Sequence, residues 1–152
     1  MEIIEGNLID VENREFYPCA ISISEGKIIN IERNSNSYDQ YISPGFIDAH
    51  VHVESSMLMP VEFSKLVIPN GTVGVVADPH EIANVSGKDG LHYMIESSEG
   101  LPLTVYFVIP SCVPATSFDE SGAVLSADDI EEFYSESRVL GLGEVMNYVG
   151  VV

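Results

Sequence analysis

The chain has 152 residues, of which 45% are hydrophobic and 9% aromatic, which is enough for one ordinary domain with a core and excludes a disordered protein. Acidic residues outnumber basic ones by 24 to 6, for a net charge of −18, so nucleic acid is not an expected partner. No apolar run approaches the roughly 20 residues of a membrane helix, and the N-terminus lacks the basic segment of a secretion signal. We therefore expect a cytoplasmic protein without a membrane partner.

Short apolar runs with partial period-2 alternation predict strands within the first 33 residues. Two of these runs, residues 20–23 and 27–31, flank Ser24, Glu25 and Gly26. Because Gly26 readily adopts the positive φ of a tight hairpin turn, the runs predict a small antiparallel sheet. The polar loop at residues 34–37 then ends this part, and we place the domain boundary before Pro44, which gives domains of 1–43 and 44–152.

After this boundary the pattern becomes strand, loop and helix, repeated. Four strands are predicted to begin near Phe46, Thr72, Pro102 and Arg138. Three helices are predicted to begin at Pro60, Ser86 and Ser126. Their predicted buried residues are Met59, Phe63, Leu66 and Val67 in the first helix, Leu91, Met94 and Ile95 in the second, and Ile130, Phe133 and Tyr134 in the third.

Apolar strands that alternate with helices predict a parallel sheet covered by helices, an α/β fold. In such folds chemistry is found at the carboxyl ends of the strands. Polar clusters follow all four predicted strands, and they begin at His50, Asp78, Ser111 and Glu144. These clusters are therefore the candidate functional sites.

The first cluster contains His50, His52 and Glu54. Alternate side chains of a strand share one face, so we expect His50, His52 and Glu54 to point the same way. Two imidazoles at that spacing can chelate one divalent metal. A chance pairing of histidines on a polar edge is the alternative, but Asp48 and Glu54 add oxygen ligands or groups that orient the histidines, which favours a metal site.

Glu144 follows the fourth predicted strand, where it could bridge metals as a carboxylate or be an ordinary acid at a strand end. In the second cluster the polar residues from Asp78 to Glu81 could cap the next helix, or His80 and Glu81 could face a substrate. Cys112 has no basic neighbour in sequence and is predicted to be a packed thiol, as is Cys19.

Four stretches carry a resemblance to a known family: PGFIDAHVHVESSM, VVADPHEIANV, LPLTVYFVIPSCVPAT and GLGEVMN. With these motifs in order, the chain from Pro44 onward resembles the adenine deaminases of the metal-dependent amidohydrolase superfamily. The resemblance implies a (β/α)8 barrel, of which this chain would hold about the first four strands. It also implies that residues 1–43 are the N-terminal piece of a β-sandwich.

The resemblance further implies that His50, His52 and Glu144 are metal ligands, with Glu144 as the bridging carboxylate. The resemblance also implies two divalent cations as the cofactor, above all Mn²⁺, with Fe²⁺ or Zn²⁺ as alternatives. Adenine is the implied substrate, which metal-activated hydroxide would convert to hypoxanthine and ammonia. We assign His80 and Glu81 as candidate catalytic residues, and Glu54 and Ser55 as candidate substrate-binding residues.

Family members are several hundred residues long, and a closed barrel takes about 250 residues. We therefore expect a piece of a hydrolase that is inactive by itself and forms a homo-oligomer when full length. Two alternatives remain at this point. One is another amidohydrolase that acts on a cyclic amide or amidine, and the other is a protein that binds metal or a partner without catalysis.

Overall fold

The computed structural model describes residues 1–152, except for the side chain of Val151. The chain divides into two compact units, residues 1–44 and 45–152. None of the helices in the described part has the length and hydrophobicity that crossing a membrane requires.

The first unit is one four-stranded sheet. Its strands are β1 (Glu2–Asp10), β2 (Glu15–Ser24), β3 (Lys27–Arg33) and β4 (Tyr41–Ile42), in the order β3-β2-β1-β4. The antiparallel pairing of β2 with both β1 and β3 is confirmed, whereas β4 pairs parallel to β1 and was not predicted. Glu25 and Gly26 connect β2 to β3 with φ values of 51° and 73°, and both central residues of a type I′ hairpin turn need such positive values.

The second unit contains a parallel sheet with intervening helices. Its strands are β5 (Phe46–Val51), β6 (Thr72–Ala77), β7 (Thr104–Ile109) and β8 (Val139–Leu142), in the order β5-β6-β7-β8. The helices are α1 (Pro60–Val67), α2 (His80–Ser97), α3 (Ala127–Glu131) and α4 (Tyr148–Val151), with 3₁₀ helices at Val53–Ser56, Ile68–Asn70 and Glu132–Ser135. All neighbouring strands are parallel, and Val75 pairs with Val105. The predicted α/β arrangement, with about four strands of a β/α barrel after a separate sheet, is confirmed.

Helix α2 begins six residues before the predicted start at Ser86. Two helical segments run on across a kink at Gly87, whose φ of 58° and ψ of −137° are non-helical. Gly87 tolerates this backbone because it has no Cβ. The consequence is that His80 and Glu81 lie in the first turn of a helix rather than in a loop.

The core of the second unit lies between the sheet and its helices. Phe107, Leu91 and Ile109 are fully buried there. The predicted burial of Phe63, Leu91, Met94, Ile95, Ile130 and Phe133 is confirmed. The predicted burial of Met59, Leu66 and Tyr134 was wrong, since each is at least half exposed. Met59 is the N-cap of α1 and Tyr134 lies in the 3₁₀ helix after α3, so neither follows the α-helical period on which its predicted burial rested.

Candidate metal centre

The two histidines at the end of β5 face each other. His50 lies in the strand, and His52 follows it with extended backbone angles, φ −100° and ψ 99°. Extended geometry over three residues places both rings on one side, and their Nε2 atoms lie 3.1 Å apart. Two ring nitrogens at this distance can share one proton or direct their lone pairs at one cation.

Glu54 departs from the predicted common face. The chain turns into a 3₁₀ helix at Val53, so the alternation that orients His50 and His52 ends before Glu54. The Glu54 Oε1 atom instead accepts a hydrogen bond of 3.2 Å from the backbone N–H of Ile82, in the first turn of α2. Burial raises the pKa of the Glu54 carboxyl above its ordinary value. Glu54 therefore joins the end of β5 to the start of α2.

Glu144, just beyond β8, reaches the histidine pair. Its Oε1 atom lies 3.5 Å from His52 Nε2, and His50, His52 and Glu144 each offer a ligand atom within 4.8 Å of the others. The Glu144 backbone is held on both sides, because its N–H donates to Asp78 Oδ2 at 3.2 Å and its carbonyl accepts from the Ser111 hydroxyl at 2.8 Å. The fold thus brings together the three residues predicted as metal ligands; whether they hold a metal stays a prediction.

Glu81 links His52 to Ser55. Its Oε2 atom lies 3.2 Å from His52 Nδ1, and its Oε1 atom accepts from the Ser55 hydroxyl at 2.6 Å. Burial raises the pKa of Glu81, but the hydrogen bonds from Ser55 and the backbone, together with His52, lower it below its ordinary value overall. An ionised carboxylate can only accept hydrogen bonds. Glu81 therefore favours the His52 tautomer with the proton on Nδ1 and a lone pair on Nε2.

Asp78 and His80 flank the start of α2. Asp78 is fully buried and His80 is 4% exposed, and Asp78 Oδ1 lies 3.4 Å from His80 Nδ1. The N-cap residue of α2 is Pro79, which makes no side-chain cap hydrogen bond. Capping, the alternative considered for this cluster, is therefore not what its side chains do.

The sequence interpretation named His80 and Glu81 but missed the part that Asp78 plays. Asp78 accepts the Glu144 N–H, although 66 residues separate them. The sequence did contain a signal for this contact. Both residues directly follow predicted strands of one parallel sheet, and the carboxyl ends of parallel strands lie at the same edge of the sheet. Gly143 was missed as well: a Cβ there would lie 2.3 Å from Asp78 Oδ2, so only glycine allows this close approach.

A small cavity of about 290 Å³ opens beside these groups. Its lining residues are His52, His80, Glu81, Asn84, Glu144 and Met146. Ser55 does not line this cavity but donates a hydrogen bond to Glu81, which does. Cys112 lies outside the lining and is partly buried. The lining therefore includes both candidate catalytic residues, His80 and Glu81, and two of the three candidate metal ligands, His52 and Glu144.

The donor set suits a divalent transition metal. Imidazole nitrogen and carboxylate oxygen are ligands of Mn²⁺, Fe²⁺ and Zn²⁺. His52 Nε2 lies 3.1 Å from His50 Nε2 and 3.5 Å from Glu144 Oε1. The hydrogen bond between His52 and Glu81 is the support that metal-bound histidines usually have on their second nitrogen. The residues present therefore fit a divalent cation.

Comparison with known proteins finds relatives over almost the whole chain. The model of the amidohydrolase family matches residues 41–150. The chain is 49% identical to an adenine deaminase of Bacillus subtilis over 98% of its own length and 27% of the relative's length. It is 45% identical to an adenine deaminase of Methanosarcina barkeri over 100% of its own length and 28% of the relative's. The chain thus spans about a quarter of the length of the curated relatives it matches.

A solved structure shares the fold. It is that of atrazine chlorohydrolase TrzN from Arthrobacter aurescens TC1, complexed with zinc, and it matches with a TM-score of 0.59 and 15% identity. The match covers 93% of this chain and 46% of the other. At this level of identity the likeness establishes the architecture alone.

Proposed function

Because this chain belongs to the amidohydrolase family, we propose that it supplies the N-terminal part of an adenine deaminase, which hydrolyses adenine to hypoxanthine and ammonia. The identities of 49% and 45% to the adenine deaminases of Bacillus subtilis and Methanosarcina barkeri support this choice of substrate. Apart from Pro44, the four motifs that first indicated adenine deaminases lie in the unit that holds the candidate metal centre.

The observation that carries the proposal is the convergence of His50, His52 and Glu144. Their ligand atoms lie within 4.8 Å of one another, although 92 residues separate His52 from Glu144. When bound there, a divalent cation would supply the Lewis acidity that turns water into a nucleophile at neutral pH. Manganese is our choice of metal, as in the family that the sequence resembles.

Two hydrogen bonds between residues of this chain orient His52 for metal binding. The Ser55 hydroxyl donates to Glu81 and fixes its carboxylate. Glu81 in turn accepts a hydrogen bond from the Nδ1–H of His52, which leaves the Nε2 lone pair of His52 directed at His50 and Glu144. Orienting a ligand through its second nitrogen strengthens its basicity and typically changes metal affinity by about 10- to 100-fold.

We propose that His80 and Glu81 also face the substrate, since both line the cavity next to His52 and Glu144. Glu81 stays ionised, as its lowered pKa implies, and is placed to accept a proton or a hydrogen bond from an exocyclic amine. Glu54 and Ser55 remain proposed substrate-binding residues. Glu54 contacts Ile82 and Ser55 contacts Glu81. Their proposed effect on purine binding is therefore indirect, through the start of α2 and through Glu81.

We further propose that the whole protein works in the cytoplasm as a homo-oligomer. We also propose that the 152-residue chain has no deaminase activity by itself. This last point is supported by its coverage of about a quarter of the relatives and by its sheet, in which β5 and β8 each pair on one side only within the described chain.

The experiment compares the full-length protein that carries this chain with the chain alone, each in excess Mn²⁺. Adenine loss and hypoxanthine formation are followed by absorbance and chromatography. We expect turnover by the full-length protein and none by the chain. Glu144→Gln should lower kcat/KM by at least about a hundredfold, whereas His92→Gln, on the exposed face of α2, should leave it unchanged. A folded, Mn²⁺-loaded full-length protein that does not convert adenine would refute the proposed substrate.

A further inference from the structure

Asn84 lines the cavity beside the candidate metal centre. It lies in the second turn of α2, one turn after His80. Among the described residues of this lining, Asn84 is the only carboxamide. A carboxamide carries two N–H donors and a carbonyl acceptor without a net charge. It can therefore pair with a neutral ligand that offers an acceptor and a donor side by side.

A hydrogen bond to the backbone fixes how the amide group of Asn84 is oriented. Asn84 Nδ2 donates to the His80 carbonyl oxygen at 2.9 Å. Because a carbonyl oxygen only accepts, the nitrogen of the amide and not Oδ1 must face His80. This bond uses one of the two Nδ2 hydrogens, and within the described part of the chain Nδ2 makes no other hydrogen bond. The second hydrogen is therefore available to a ligand.

The Oδ1 atom of Asn84 also keeps its capacity to accept. The Ser121 hydroxyl lies 3.4 Å from it, but the same hydroxyl lies 2.9 Å from the Asn84 carbonyl oxygen and 2.6 Å from the Ala123 carbonyl oxygen. A hydroxyl donates a single hydrogen, and the two nearer oxygens compete for it. The side chain of Asn84 is therefore left with an N–H donor and a neighbouring acceptor.

The loop between β7 and α3 holds Asn84 in place. The Asn84 carbonyl oxygen accepts a hydrogen bond of 2.8 Å from the Gly122 N–H, three residues before the non-helical backbone of Gly87. A Cβ at Gly122 would lie 2.4 Å from the Val85 carbonyl oxygen, so the contact requires glycine. The loop thus rests on α2 at the residue that lines the cavity. A side chain held in this way loses less conformational entropy when it binds a ligand.

Adenine presents the complementary pair of groups. Its N7 atom accepts a hydrogen bond and its exocyclic amine donates one, and an asparagine side chain can bind both together. Other groups in the cavity lining do not serve N7. The carboxylates of Glu81 and Glu144 only accept when they are ionised, and Met146 is apolar, although its thioether suits contact with an aromatic ring.

We propose that Asn84 determines specificity for adenine by binding N7 through Nδ2–H and the exocyclic amine through Oδ1, a role that rests on the proposed function. The amine has two hydrogens, so this contact leaves one for Glu81. In hypoxanthine a carbonyl oxygen replaces the amine and can only accept. The product therefore keeps one of the two hydrogen bonds, and Asn84 favours the substrate over the product.

The test uses the full-length protein in excess Mn²⁺ and the analogue 7-deazaadenine, in which a C–H group replaces N7. The measured quantities are kcat and KM for adenine and the inhibition constant of the analogue, with circular dichroism as the check on folding. We expect Asn84→Ala to lower kcat/KM for adenine by about 10- to 100-fold, and to weaken binding of the analogue by a factor about fivefold smaller. Asn70→Ala is the matched control and should change neither quantity, because exposed Asn70 also donates to the carbonyl four residues before it.

Equal factors for adenine and 7-deazaadenine would overturn the proposal, because a merely structural loss affects both molecules alike. A wild-type value of kcat/KM in Asn84→Ala would overturn it too. If Asn84→Ala does not fold, Asn84→Asp decides by the same comparison, since its carboxylate has the size of the amide but offers N7 no donor. In each of these cases the wild type still converts adenine, so the proposed function stands. A folded wild-type protein that leaves adenine intact would instead refute the proposed substrate, and this role with it.

Discussion

The Nε2 atoms of His50 and His52 lie 3.1 Å apart, although only His50 belongs to strand β5. Val51 is the last residue of β5 that pairs with β6, but the backbone stays extended at His52 and turns only at Val53. Because the turn comes after His52, the side chains of His50 and His52 share a face, whereas Glu54 contacts helix α2. The pair is therefore a chelating unit made by local backbone geometry.

The first prediction concerns this chelating unit. Replacing His50 and His52 together by alanine should abolish tight Mn²⁺ binding at the candidate metal centre, because Glu144 alone cannot hold the ion. Isothermal titration of the metal-free full-length protein measures the effect. The control is His92→Ala, which removes an exposed histidine that pairs with Glu132. Equal Mn²⁺ affinity and content in the double variant and the wild type would show that these histidines are not ligands.

The second prediction concerns the support that Glu81 gives to His52. Glu81→Ala removes the acceptor for His52 Nδ1 and the partner of Ser55. We expect Mn²⁺ affinity to fall by about 10- to 100-fold, the usual effect of losing such a partner. Glu62→Ala is the matched control, since this exposed acid pairs with Lys65 on α1. A loss of adenine turnover with unchanged Mn²⁺ affinity would instead assign Glu81 to the substrate alone.

The third prediction concerns the contact between Gly143 and Asp78. A methyl group at position 143 would lie 2.3 Å from Asp78 Oδ2, so Gly143→Ala must displace the segment that carries Glu144. We expect Mn²⁺ affinity to fall by at least about tenfold, together with a lower melting temperature. Gly74→Ala in β6 is the control, because its nearest contact would be an ordinary 3.6 Å to Ile47. Equal affinities of the two variants would contradict the close approach described above.

The fourth prediction concerns the capping box of α3. The Ser126 hydroxyl accepts from the Asp129 N–H, and the Asp129 carboxylate accepts from the Ser126 N–H and hydroxyl. Ser126→Ala should lower the free energy of unfolding by about 1 kcal/mol at neutral pH. Chemical denaturation at neutral pH measures this loss. Ser117→Ala, at an exposed position, should change it little.

The capping box also predicts a pH dependence. The hydrogen bonds from Ser126 hold the pKa of Asp129 below its ordinary value of 3.8. A carboxyl whose pKa is lower in the folded state stabilises the fold above its unfolded pKa, and this contribution is lost as the pH falls through the folded value. The stability difference between wild type and Ser126→Ala should therefore shrink as the pH falls below about 4. A difference that stays constant down to pH 2 would contradict the assignment.

Local features of this protein could be predicted from its sequence because their causes lie within a few residues. Gly26 indicates the hairpin between β2 and β3, and Ser126 with Asp129 indicates the start of α3, because turn and cap geometry depends on neighbouring residues. The parallel order of β5 to β8 also followed from the alternation of strands and helices. The His50 and His52 pair belongs to this class, since two-residue spacing in an extended chain sets its geometry.

The tertiary structure alone decided how separate strand ends fit together. The approach of Asp78 to Glu144, across 66 residues, depends on the register of β6, β7 and β8 and on the missing side chain at Gly143. The turn at Val53 places Glu54 beside the first turn of α2, where its carboxylate accepts a hydrogen bond from the Ile82 N–H, which has no partner within the helix. The exposure of Met59, Leu66 and Tyr134 was likewise decided by which helix faces meet the sheet. Such contacts depend on packing between distant segments, and a one-dimensional pattern does not contain the distances that packing sets.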